Sequence, residues 1–158
     1  MYMTSSRASL FVLAAGLLIG LPAVPAAHAL DARQWQAVAP ALQAAIECRA
    51  APDTDAPAWK ALGPAEGGSL GPFQPPAPFT VFGLPVREVT VYIDPDGEMG
   101  ASYSASFAAT RAQLRSAAKL DAKAQRQSNM GSLGFSDDSS ASLTCTVAGS
   151  YDESDYQE

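Results

Sequence analysis

Val86-Arg-Glu-Val-Thr-Val-Tyr-Ile93, Asp94-Pro-Asp-Gly97 and Ala101-Ser-Tyr-Ser-Ala-Ser-Phe107 decide the fold. In the first stretch Val89, Val91 and Ile93 fall on one side of an extended chain, and Glu88, Thr90 and Tyr92 on the other. That period of two is the pattern of a half-buried strand. The third stretch repeats it, with Tyr103, Ala105 and Phe107 set against Ser102, Ser104 and Ser106. Between them Pro95 presets its own φ and Gly97 accepts a left-handed position, which makes a turn. Together they predict a β-hairpin with one apolar face to bury and one serine face for water.

Working outward from the hairpin, Ser132–Ser136 and Ala141–Ala148 predict two more strands around a polar turn at 137–140. In the last strand Leu143, Cys145 and Val147 share a face. Phe79–Phe82 reads as a short strand that Gly83-Leu-Pro85 breaks or bulges. Thr110 can cap a helix over Arg111–Lys123 with a narrow apolar face at Leu114, Ala117 and Ala118, and Gln125–Ser132 reads as a polar linker. Upstream, Asp31–Arg49 predicts a helix capped by Asp31, with Trp35, Val38, Leu42, Ala45, Ile46 and Arg49 at 3- and 4-residue steps and a kink or a fresh start at Pro40. The expected fold is α+β: an antiparallel sheet of about four strands with two helices on one face.

Residues 50–78 follow different rules, because seven of the twelve prolines fall there with four glycines among them. Proline removes backbone donors and favours extended or turn conformations, so the segment reads as a long loop. Trp59, Leu62, Leu70 and Phe73 are spaced through it as pins. A loop of this length is either a functional element or a connector wrapped on the domain. Trp59 is the candidate aromatic anchor, with Phe73 and Tyr103 as further candidate binding residues.

The first 29 residues read as a cleaved signal peptide. Arg7 supplies the positive start, Leu10–Gly20 an apolar core short of the roughly 20 residues that span a bilayer, and Ala27-His28-Ala29 a small-x-small cleavage site. Leu30–Glu158 is then one exported domain to residue 149 and an acidic tail over 150–158, periplasmic or secreted, with no membrane span. Its only cysteines, Cys48 and Cys145, predict one disulfide, since an even pair in an oxidising compartment is most simply bridged. A loop of about 100 residues closed in this way gains roughly 4–5 kcal/mol in the chain-entropy account.

Composition closes several chemistries. The single histidine, His28, leaves with the signal, so imidazole general bases, Ser–His–Asp arrangements and His-based metal sites are excluded from the exported chain. Ten Lys+Arg face sixteen Asp+Glu, for a net charge of −6, which disfavours nucleic acid and anionic lipid. Asp94-x-Asp96-Gly-Glu98 suggests calcium, but an EF-hand loop counted from Asp94 has Met99 and Ala105 at the positions needing Gly and Glu. Ser116-Ala-Ala-Lys119 matches the Ser-x-x-Lys of penicillin-binding enzymes without their Ser-Asp-Asn or Lys-Thr-Gly elements. No catalytic residue, metal site or cofactor is expected. The expected function is a small acidic binding module, of inhibitor or immunity type, docking on a basic exported protein. The alternatives are a hydrolase of envelope glycan or peptide using two carboxylates among Glu47, Glu66, Glu88 and Asp94, or a structural component of the envelope.

Overall fold

A computed structural model describes residues 31–63, 66–137 and 140–151. The expected signal peptide, and the expected tail beyond Tyr151, lie outside the described residues. The hairpin is the spine of the molecule. β3 (Leu84–Ile93) and β4 (Ala101–Phe107) pair antiparallel from Val86↔Phe107 to Ile93↔Ala101, joined through the Asp94–Gly97 turn, whose Gly97 N–H donates to Asp94 O at 3.1 Å. β7 (Ser142–Val147) pairs with β4, and β6 (Ser132–Phe135) pairs with β7. These four strands are the ones the alternation predicts.

The sheet is larger than expected, with seven strands in the order β1-β3-β4-β7-β6-β5 and β2 beside β3. β1 (Ser69–Phe73) forms inside the Pro/Gly-rich segment, which also holds the single-turn helix α2 (Pro57–Lys60). A strand containing Pro72 is tolerated because β1 lies at the edge of the sheet, where a missing donor breaks no second ladder. β2 (Thr80–Val81) and β3 meet at Phe82-Gly83, both at positive φ (53° and 74°), as a two-residue hairpin turn rather than a break. β5 (Gln125–Gln127) replaces part of the expected linker and pairs with β6.

Both main helices start where the sequence places them and end early. α1 (Ala32–Ile46) is capped by Asp31, whose carboxylate accepts the Gln34 N–H at 2.8 Å while the Gln34 side chain accepts the Asp31 N–H. It runs unbroken through Pro40, which sits on the exposed side where water can serve the carbonyl left without its partner. α1 stops at Ile46 because Cys48 turns left-handed (φ 58°), with Cys48 N–H on Ala45 O and Arg49 N–H on Ala44 O. Arg49 therefore leaves the apolar stripe and is exposed. The other helix, α3 (Arg111–Ala117), is capped by Thr110 and ends six residues before Lys123 in the same motif, with Lys119 at φ 54°. Stopping there buries Leu120, and the Asp121 carboxylate collects the Lys123 and Gln125 N–H groups at 2.8 and 3.0 Å.

One face of the sheet carries the core. Trp35, Val38, Leu42, Ala45 and Ile46 of α1 pack on Val89, Val91, Tyr103, Ala105, Leu133 and Leu143, and Leu114 and Ala118 enter the same cluster. The predicted disulfide Cys48–Cys145 is present, tying the end of α1 to β7 across 97 positions, with both cysteines buried.

A second tie joins both helices to β5. Arg126 donates to Glu47 O at 2.6 Å and to Ala118 O at 2.8 Å, and these are the C-cap carbonyls of α1 and α3. A guanidinium there meets the negative ends of two helix dipoles at once. It also lies 5.4 Å from the Phe82 ring centroid. Glu47, buried beside it, accepts hydrogen bonds from the Phe82 N–H at 3.0 Å, Gln43 Nε2 at 3.2 Å and Arg49 Nε at 2.6 Å. Burial alone pushes the Glu47 carboxyl up, but the three donors and the Arg49 charge together hold it below the ordinary range.

Candidate functional site

Residues 53–63 and 67–70 build a cleft beside the end of the hairpin. The Asp53 carboxylate accepts the Asp55 N–H at 3.0 Å and the Ala56 N–H bonds Asp53 O at 3.2 Å; Pro57 then opens α2 at a position that needs no donor. The turn stands Trp59, half-buried, over Leu70, Val91 and Ile93. The chain returns through Gly67 and Gly68, both at positive φ. A Cβ at Gly68 would collide with the Ile93 carbonyl, so only glycine lets this turn close against β3. The result is a largely apolar cavity of about 550 Å³ with Asp94 and Pro95 on its rim. Lys60, also at the rim, is 2.9 Å from Asp55.

Asp94 shapes the turn as well as the rim. Its carboxylate accepts the Met99 N–H at 2.9 Å and the Tyr92 hydroxyl at 3.3 Å. A carboxylate has lone pairs beyond these two, so it can still accept a donor presented at the cleft mouth.

Of the three candidate binding residues, the structure brings only Trp59 to this cleft. Phe73 sits edge-on to Trp35, with ring centroids 6.2 Å apart, in a cluster that Phe79 completes at 5.0 Å. Tyr103 is 3% exposed between Val91 and Cys145 in the sheet, and burial pushes its phenol up. Both side chains pack with the core rather than facing the cleft. The sequence reading missed Asp94 and Pro95 as cleft residues, and the Gly67-Gly68 pair that closes it. A paired glycine just before a strand is the signal that marks such a close approach.

Among the described residues, the candidate carboxylates Glu47, Glu88 and Asp94 stand apart from one another. Glu47 lies on the helical side of the sheet, held by its own donors, whereas Glu88 projects from the opposite face beside Thr90 and Tyr92. Asp94 is at the hairpin turn, and the Glu66 side chain lies outside the described part. Among the described residues no group of three His, Cys, Asp or Glu could hold a metal ion. No helix among them is long and apolar enough to cross a membrane.

The face of the sheet away from the helices is lined with hydroxyls. Ser69, Tyr92, Ser102, Thr146, Ser132 and Gln127 lie in one register row across six strands. In the next row Ser104 and Thr144 are 2.7 Å apart, and Thr144 is again 2.7 Å from Ser136. These hydroxyls satisfy one another. Compared with known families, curated proteins and solved structures, the chain matches none.

Proposed function

We propose that the chain is an exported binding module without catalysis of its own, docking on a basic exported protein through the Trp59 cleft. The observation that carries this reading is Trp59 itself. It is a half-buried aromatic on a proline-started turn, over an apolar floor, with a carboxylate at the mouth. A pocket of this kind suits the apolar stem and charged head of a lysine or arginine from a partner. The buried disulfide supports folding in an oxidising compartment. The frame beneath the cleft is a stapled sheet, which limits the ordering cost of binding.

Trp59→Ala tests the reading. Trp59 is only partly buried against the core, so the variant stays folded with a loss of about 2–3 kcal/mol, less than the roughly 3–5 kcal/mol of a fully buried aromatic. Retention of the basic partner should fall at least tenfold, as for a central aromatic anchor. Unchanged retention by a folded Trp59→Ala chain would contradict the proposal.

A further inference from the structure

Large apolar side chains are exposed at only two places among the described residues, Met99 (69%) and Tyr151 (51%). Far apart in sequence, they meet at the end of the β3–β4 hairpin. The Tyr151 N–H donates to Glu98 O at 3.0 Å and the Ser150 N–H to Gly97 O at 3.1 Å. Gly100 and Gly149 make this join possible, since a Cβ at either would collide with the opposing backbone. Residues 150 and 151, expected to be the start of the tail, are thus pinned to the hairpin, and the sequence continues from them into Asp152, Glu153, Asp155 and Glu158.

The charge is distributed as unevenly as the apolar surface. Downstream of the signal, nine bases face sixteen acids. Three of those acids, Asp94, Asp96 and Glu98, stand within five positions at the tip, and no base occurs between Arg87 and Arg111. A negative tip free of bases draws a cationic surface toward itself, which raises the association rate and selects which face arrives first.

We propose that the hairpin tip, with Met99 and Tyr151 as its apolar contacts, is the surface on which a basic protein partner first docks. It adjoins the Trp59 cleft through Asp94 and Pro95, so the acids steer the partner and the two exposed side chains hold it beside the cleft. This inference rests on the proposed docking function and adds the place and the order of contact.

The probe is the basic protein that immobilised Leu30–Glu158 retains from envelope and culture-medium extract at low salt, purified and identified by mass spectrometry. Hydroxyl-radical oxidation of the chain alone and in complex should show Met99 and Tyr151 protected at least threefold, with the half-buried Met130 unchanged. Met99→Ser with Tyr151→Ser should weaken binding at least tenfold at an unaltered melting temperature. Asp96→Asn with Glu98→Gln should slow association severalfold at low salt and leave it unchanged at high salt. Unprotected Met99 and Tyr151 in a complex that Trp59→Ala still weakens would overturn the tip surface and spare the cleft. A complex weakened by the tip variants but not by Trp59→Ala would overturn the cleft and support the tip. Retention of no basic protein would overturn both.

Discussion

Removing the Arg126 guanidinium tests the account of how the helices are fixed to the sheet. Arg126 makes two charge-assisted hydrogen bonds, to Glu47 O at 2.6 Å and Ala118 O at 2.8 Å. Each such bond contributes about 1.5–3 kcal/mol, and the contact with the Phe82 ring about 0.5–1 kcal/mol. Arg126 is only half-buried and borders an open cavity, so water can reach the two carbonyls once the side chain is gone. The expected cost of Arg126→Ala is therefore nearer the low end, about 3–4 kcal/mol. In a domain of this size that corresponds to a melting temperature lower by about 10–15 °C. The assay is urea unfolding followed by circular dichroism, with the midpoint shifted and the slope unchanged. Arg126→Lys should lose about half as much, because an ammonium is a point charge that cannot reach both C-caps in the planar geometry. A loss below about 1 kcal/mol for the alanine variant, or full rescue by lysine, would refute the clamp.

Three further predictions follow from particular contacts. Glu47 is held below its ordinary value of 4.5, so its contribution is present above that pH and is lost as pH falls through the folded-state pKa. Glu47→Gln should therefore show a flatter fall of the urea midpoint than wild type does as the pH is lowered below about 5. Cys48→Ala with Cys145→Ala should cost about 4 kcal/mol by the loop-entropy estimate, read from the same unfolding curves; in the native wild type, reductant should act slowly because both sulfurs are buried. Gly149→Ala should place a Cβ against the Glu98 carbonyl and cost about 1–3 kcal/mol, with faster amide exchange at Tyr151 as the local sign.

The parts of the fold that were legible in the sequence are those where one residue's neighbours in the chain already determine its environment. Alternation over 86–93 and 101–107 sets the hairpin register, and the Asp31/Gln34 and Thr110/Gln113 pairs mark both helix starts. The helix ends were not legible, because they depend on tertiary demands: Cys48 must reach β7, and Leu120 must reach the core. β5 carries no apolar signal at all, since its inward residue is Arg126 and the carbonyls that satisfy it belong to two distant helices. β1 was hidden by Gly71 and Pro72, which only an edge position tolerates. At the site, Trp59 stood out as an aromatic among prolines. Tyr103 lies on the hairpin's apolar face in the alternation itself, and that same pattern places it in the core. Met99 and Tyr151 come together only through backbone hydrogen bonds between residues far apart in the chain.

The central claim is that this chain works by docking on a basic partner, and a pull-down tests it most directly. Leu30–Glu158 with its disulfide intact is immobilised and exposed to envelope and culture-medium extract at low and at high salt. The account predicts stoichiometric capture of a basic exported protein at low salt, weakened at high salt as surface charges are screened, and weakened at either salt by Trp59→Ala. Capture of nothing basic at either salt, by a chain whose melting curve shows it folded, would contradict it.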